Sequence, residues 1–231
     1  MEAFLLCAGF GKRLSPVTNK IPKCLVPING KPLLDIWITQ LINFGYKKIF
    51  INTFYLSKMV KEFVDVCPFK NNIEIIYEEN LIGTAGSVKN ILPKVKCDKI
   101  FIAHGDNLSF FNHQDFLNNF ENRGQGVYGT MMTFNTDNPK NCGIVEKNKD
   151  GKIINYYEKT ENPPSNLANG AVYIISRDFF NIILKEKEAY DFSKDIVGKY
   201  YKNFNTFHND MYHRDIGTIE SLALAQLCDY M

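Results

Sequence analysis

The 231-residue sequence has a single tryptophan, and no apolar run approaches the ~18 residues that span a bilayer. Its apolar start, Phe4-Leu5-Leu6-Cys7, follows Glu2 where a secretory leader carries positive charge, and it ends at Gly11-Lys12-Arg13. A soluble cytoplasmic protein without a membrane partner is the expectation. Charge of one sign is also scarce, since 27 Lys and Arg against 25 Asp and Glu leave a net charge of +2. That excludes a solvated polyelectrolyte tail and makes nucleic acid an unexpected partner. The six cysteines, at 7, 24, 67, 97, 142 and 228, never reach Cys-x-x-Cys spacing. Neither a zinc knuckle nor a redox dithiol is written locally, and free thiols are expected. No Gly-Lys-Ser/Thr occurs, which removes a Walker loop. No third glycine follows Gly9-x-Gly11, which removes a dinucleotide fingerprint and opposes, without closing, a nicotinamide oxidoreductase reading. With no repeat, linker or low-complexity tract, one compact domain over residues 1–231 is expected.

Short apolar runs alternate with amphipathic stretches through the first half. Strands are expected over 2–7, 47–53, 72–77 and 99–104, with helices over 32–44, 56–66 and 85–92 between them. That is the pattern of parallel strands joined by crossover helices. After residue 126 strands are expected over 127–134, 144–147, 152–158 and 168–175, with Asp150-Gly151 as a tight turn and a closing helix over 218–227. The fold class is therefore α/β: a mostly parallel, mixed central sheet flanked by helices, with a smaller β-rich part in the second half.

One stretch breaks the pattern. Residues 8–31 show no sustained periodicity, and this connection is longer than the ~12–15 residues usual inside compact domains. Pro16, Pro22, Pro27 and Pro32 limit its backbone freedom, so ordering it around a ligand costs less entropy. It follows the first strand, at the carboxyl edge where open α/β sheets place ligands. Gly9 and Gly11 permit close backbone approach to a phosphate, while Arg13 and Lys23 bring positive charge from two points. A strand-ending turn with two solvated cations is the alternative reading of that fragment.

The longer string is more specific. Gly9-Phe10-Gly11-Lys12-Arg13-Leu14-Ser15-Pro16-Val17-Thr18, followed by Pro22-Lys23-Cys24-Leu25-Val26-Pro27, resembles the signature of the sugar-phosphate nucleotidyltransferases, or nucleotide-sugar pyrophosphorylases. Leu81-Ile82-Gly83-Thr84-Ala85-Gly86, Gly105-Asp106-Asn107, Asn141-Cys142-Gly143-Ile144-Val145, Glu158-Lys159 and Tyr212-His213-Arg214-Asp215-Ile216-Gly217-Thr218 resemble further segments of that family in order. The likeness runs from residue 1 to about 220. Cys7, Thr160 and Ile219 depart from the usual Ala, Pro and Pro, without loss of a charged group. The resemblance implies a single-domain, Rossmann-like nucleotidyltransferase fold whose β-rich part binds sugar, without a carboxy-terminal acyltransferase extension.

It also implies roles. Leu6, Ala8, Gly9, Gly11, Glu78, Gly83 and Thr84 would bind the nucleotide; Gly143, Glu158, Lys159 and Asn169 would bind the sugar phosphate. Two like-charged phosphates must be brought together in such a reaction. Arg13 and Lys23 would act as catalytic cations that spread transition-state charge, and Asp106 and Asp215 would hold Mg2+, which prefers oxygen ligands. No nucleophilic side chain is required, so His104, His113, His208 and His213 are read as structural. Glu78 can only accept hydrogen bonds, which favours the N1–H and N2–H donors of guanine over uracil or thymine. The closest resemblance within the family is to D-glycero-α-D-manno-heptose 1-phosphate guanylyltransferases, which supply GDP-heptose for surface polysaccharide. Mannose 1-phosphate guanylyltransferase, a uridylyl- or thymidylyltransferase acting on another hexose 1-phosphate, and a silent nucleotide-sugar-binding subunit stay open, as does a homo-oligomer. The partners implied are a nucleoside triphosphate and a sugar 1-phosphate.

Overall fold

A computed structural model describes residues 1–149 and 151–229. In chain order the elements are β1 (Glu2–Leu6), β2 (Pro27–Ile28), β3 (Lys31–Pro32), α1 (Leu33–Asn43), β4 (Lys48–Thr53), α2 (Ser57–Val66), β5 (Ile73–Tyr77), α3 (Gly83–Ile91), β6 (Lys99–His104) and β7 (Asn107–Phe110). They continue as α4 (His113–Glu121), β8 (Gly129–Asn135), β9 (Gly143–Lys147), β10 (Ile153–Glu158), β11 (Leu167–Ser176), α5 (Arg177–Lys185), α6 (Gly198–Tyr200), β12 (Phe204–His208), β13 (Tyr212–Asp215) and α7 (Ile219–Ala225). The chain packs as two compact units, each assembled from separated stretches. One comprises Met1–Leu81, Ala103–Phe110 and Tyr212–Met231; the other comprises Ile82–Ile102 and Phe111–Met211.

In the first unit β1, β4 and β5 run parallel, with Leu6 opposite Asn52 and Thr53 opposite Tyr77, so their carboxyl ends share one edge. All of β1 is buried, which is why it reads as a continuous apolar run rather than an alternating one. Helix α1 buries Leu33, Leu34, Trp37, Ile38 and Leu41 on one face, and Trp37 Nε1 donates to the Asn107 carbonyl at 2.8 Å. Pro32 caps this helix instead of forming its first turn, and Gly45 with φ 94° closes it. The long loop is not one irregular stretch. It consists of three single 3-10 turns, Lys12–Leu14, Val17–Asn19 and Lys23–Leu25, followed by the β2/β3 ladder. Its prolines cut every hydrogen-bonded run short.

Two strands here escape sequence periodicity. β7 and β13 pair antiparallel, with Asp215 opposite Asn107. Asp215 is therefore the last residue of a strand rather than a residue beyond one. The closing helix is shorter than expected at both ends: Thr218 is its N-cap, accepting from Ser221 N–H at 3.1 Å, and it stops at Ala225.

The second unit is richer in antiparallel pairing. β11 pairs antiparallel with β8 and, at Ala168, with β9; β10 pairs antiparallel with β9; β12 adds parallel to β8. Helix α4, not expected from the sequence, starts at Asn112, whose side chain accepts from Gln114 N and Asp115 N. Helix α5, also unexpected, buries Phe179, Phe180 and Ile183. Helix α3 begins two residues earlier than expected, at Gly83, whose φ of 74° sets the entry turn. Of the expected Asp150-Gly151 turn, Asp150 lies outside the described residues, while Gly151 donates to the Asn148 carbonyl at 3.1 Å.

Candidate functional site

The carboxyl end of β1, the first 3-10 turns and the β6–β7 turn enclose a cavity of about 300 Å³ lined by Leu6, Gly9, Gly11, Arg13, Lys23 and Asp106 among others. Placement of Asp106 begins with Gly105, which donates its N–H to the Leu6 carbonyl at 3.0 Å. A side chain at 105 would run into Cys7 Sγ, so only glycine lets the turn lie this close to β1. The β7/β13 ladder then sets Asp215 beside it. Lys23 joins the two: its Nζ donates to Asp106 Oδ2 at 2.7 Å and to Asp215 Oδ1 at 2.6 Å. Arg13 Nη2 reaches the other oxygen of Asp215 at 3.3 Å. The sequence-predicted catalytic and metal residues are thus brought to one point.

Electrostatics follow from that arrangement. Burial pulls the Lys23 ammonium down, yet Asp106 and Asp215 together outweigh it and hold it above the ordinary lysine value. Burial raises Asp106, and the opposing charge of Lys23, with His104 and the Lys23 hydrogen bond, overcomes it and keeps the carboxyl below its usual range. Both groups are ionised at neutral pH. For a magnesium ion the donor chemistry fits, since two carboxylates on one point are hard-oxygen ligands of the number this ion takes from protein. Among the described residues no group of three or more His, Cys, Asp or Glu is arranged to hold a metal. Phosphate and water oxygens would have to complete the shell.

Ala8 is buried and Gly9 exposed, with open space where its side chain would be. Glu78 is buried at 4% exposure, and its Oε1 accepts from Asn52 Nδ2 at 2.8 Å. Asn52 Oδ1 in turn accepts from Cys7 N–H at 2.7 Å. Glu78 therefore braces the start of the glycine loop, and in this conformation one of its oxygens is committed to Asn52. Asn52 was not expected as a site residue, although a polar residue near the end of the buried run Ile-Phe-Ile was a legible signal.

In the second unit Gly83 and Thr84 meet the segment Tyr190–Phe192. Thr84 Oγ1 accepts from Phe192 N–H at 2.7 Å, and Ala85 N–H donates to the Tyr190 carbonyl at 2.9 Å. The Thr84 hydroxyl thus has a structural partner. Elsewhere in the unit Gly143 lies directly opposite Glu158 across the β9/β10 ladder. A side chain at 143 would collide with the Tyr156 hydroxyl and come within 2.9 Å of Glu158 Oε2. The hydroxyl donates to that oxygen at 2.7 Å. Lys159, with φ 47°, extends an exposed side chain whose Nζ is 3.7 Å from Glu158 Oε1. Asn169 lies inside β11 rather than at its start. Gly143, Glu158, Lys159 and Asn169 are gathered together, and Tyr156, Tyr173 and Ser193 join them although sequence reasoning did not single them out.

Comparison with known proteins identifies the family. The nucleotidyl transferase family model matches residues 2–229, and the chain belongs to that family. The bifunctional protein GlmU of Methanococcus maripaludis (strain DSM 14266) is 34% identical over 187 residues, covering 79% of this chain and 42% of that protein. Mannose-1-phosphate guanylyltransferase of Mycobacterium tuberculosis is 27% identical over 190 residues, covering 82% of this chain and 52% of that one. The chain spans about half or less of the length of these relatives. The fold matches HddC from Yersinia pseudotuberculosis with a TM-score of 0.82 at 23% identity, covering 98% of both chains. A structure of HddC complexed with GMP-PN matches at 0.81.

Proposed function

We propose that this chain, residues 1–231 acting as one catalytic body, transfers guanylate from GTP to a sugar 1-phosphate, D-glycero-α-D-manno-heptose 1-phosphate, giving GDP-heptose and pyrophosphate. A phosphate oxygen of the sugar 1-phosphate attacks the α-phosphorus, and the bond to pyrophosphate breaks. The observation that carries the reading is the single ammonium of Lys23 set on both Asp106 and Asp215 beside a glycine loop. Lys23 and Arg13 offset charge on the departing pyrophosphate, a positioning and electrostatic role with no covalent intermediate. Magnesium held by Asp106 and Asp215, when bound, neutralises phosphate charge. Lys159 binds the sugar phosphate, and Glu158 accepts from a sugar hydroxyl.

Guanine is favoured by the names of two similar proteins, a guanylyltransferase and the HddC complex with GMP-PN. Glu78 lends one oxygen at most to the base while Asn52 holds the other. Mannose 1-phosphate is the second reading, favoured by the mycobacterial relative. Pyrophosphate release measured across GTP, ATP, UTP and dTTP against a panel of sugar 1-phosphates tests both. GTP with the heptose phosphate should give the highest kcat/KM. A preference for UTP or dTTP overturns the guanylyl assignment, and no pyrophosphate release with any pair overturns the transferase reading.

A further inference from the structure

Strand β11 carries a left-handed residue in its middle. Ala171 has φ 52°, and the register against β8 shifts between Asn169 and Tyr173. Non-glycine residues take that conformation only where their surroundings hold them, and bulges re-aim the side chains beside them. Here the re-aimed side chain is Asn169. Its Oδ1 accepts from the Ala171 N–H at 2.9 Å, which settles which end of the amide is oxygen. Both amide hydrogens then face the other way, toward Tyr173 OH at 2.7 Å and Tyr156 OH at 3.2 Å, with Ser193 Oγ more distant at 3.5 Å.

Each phenol that accepts from Asn169 has one proton left to give. Tyr156 gives its proton to Glu158 Oε2 at 2.7 Å. Tyr173 faces Ser193 Oγ at 3.1 Å, a contact in which either hydroxyl can donate; Tyr173 is fully buried and already accepts from Asn169, so we assign the donor role to the phenol. The hydroxyl proton of half-buried Ser193 is claimed by none of these groups. Burial holds both phenols above the ordinary tyrosine range, so they remain protonated donors. The result is a chain with a fixed direction: an acceptor, the Glu158 carboxylate, at one end and a donor, the Ser193 hydroxyl, at the other.

We propose that this chain is the sugar-reading device of the protein: Glu158 accepts from one hydroxyl of the sugar, Ser193 donates to a second, and Tyr156, Tyr173 and Asn169 are positioning residues that do not touch it. The inference deepens the transferase reading and rests on Glu158 meeting the sugar. Asn169 cannot serve as a direct donor, because both its hydrogens are used inside the chain.

The test is steady-state kinetics of Ser193→Ala, Tyr156→Phe and Glu158→Gln. The acceptors are the sugar 1-phosphate that wild type uses best and its monodeoxy analogues. Ser193→Ala should raise KM for the sugar phosphate about tenfold, the size of one lost hydrogen bond, with KM for the triphosphate unchanged. One monodeoxy analogue, penalised with wild type, should incur no further penalty with Ser193→Ala. Tyr156→Phe should raise the same KM, and its effect should not add to that of Glu158→Gln. A wild-type KM for Ser193→Ala, or a deoxy penalty that stays fully additive at every position, overturns the inference while leaving the transferase reading intact. A silent Glu158→Gln overturns the sugar-contact reading beneath it. Ser193→Ala removes one atom from a half-buried side chain, so it decides between these outcomes even where a tyrosine variant does not fold.

Discussion

In the first unit a lysine ammonium sits 2.7 and 2.6 Å from two carboxylates, with a guanidinium 3.3 Å from one of them. In the second, Glu158 accepts from the Tyr156 phenol at the end of a neutral chain of two phenols, an amide and a hydroxyl, with only the exposed Lys159 ammonium, 3.7 Å away, bringing charge. Each arrangement suits a different ligand. Fixed charges counter the phosphates of a triphosphate but discriminate poorly among neutral groups. Directed neutral hydrogen bonds distinguish hydroxyl from hydrogen, because a buried polar group left unpaired is penalised. The costs differ as well, since removing one member of a close-set charge cluster leaves uncompensated charge, whereas trimming a neutral chain forfeits single bonds.

The sharpest way to break this comparison is Lys23→Met. Asp106 and Asp215 would then face one another without a shared countercharge, and single-turnover rates should fall about 10³-fold, with the requirement for sugar 1-phosphate little changed. Wild-type turnover would remove the charged cluster from the chemistry. Asp106→Asn and Asp215→Asn keep shape and lose charge, so kcat should fall about 10²-fold each, and chelation of magnesium should silence wild type. Near-normal rates for both variants at saturating magnesium would dismiss them as metal ligands.

A second comparison concerns imidazoles, one in each unit. His113 is buried and stacked on Phe111 at 4.0 Å between ring centres, and burial pushes its pKa down to about 4. Unfolding returns it toward 6.5, so between those values the unfolded chain binds the extra proton. The stability it contributes is complete above pH 6.5 and is lost as pH falls, about 2 kcal/mol by pH 5. Urea titrations of His113→Phe should show a shallower acid slope. Some slope should remain, because burial also pushes His213 of the first unit down to about 3. An unchanged slope would show that His113 is not kept neutral by the fold. The smallest effect is expected of Lys159→Ala, a roughly tenfold rise in KM for sugar 1-phosphate from one exposed charged contact. Equal damage to triphosphate use would mean that the phosphate roles are not divided as proposed.

How far the sequence could be read depended on the kind of signal. Strands β1, β4 and β6 were visible as buried apolar runs, and 99–104 was placed to the residue. Arg13 and Lys23 were singled out because charge in a glycine- and proline-rich loop stands out, and Asp106 and Asp215 because their segments resemble those of the family. The ladder that brings the two aspartates together was not, because Asn-Leu-Ser-Phe and Tyr-His-Arg-Asp are too short to carry a period. Helix α5 follows β11 directly, with Ser176 both the last strand residue and the helix N-cap, so no glycine or proline announced it. The neutral network was hidden for a different reason. Tyr156 and Tyr173 look like ordinary strand aromatics, and only the Ala171 bulge turns Asn169 toward them.

The crowding at two glycines has a consequence for mutational scanning. A methyl group at 105 would strike Cys7 Sγ, and one at 217 would lie 2.9 Å from Asp215 Oδ2 and 3.0 Å from Arg13 Nη2. Neither residue has a functional group of its own. In a library scored by activity alone both would nonetheless rank with the aspartates as indispensable, since alanine at 217 displaces charged atoms and alanine at 105 pushes the turn that carries Asp106 off the buried Cys7. What such a map would record at these positions is the outline of an occupied volume rather than a chemical role.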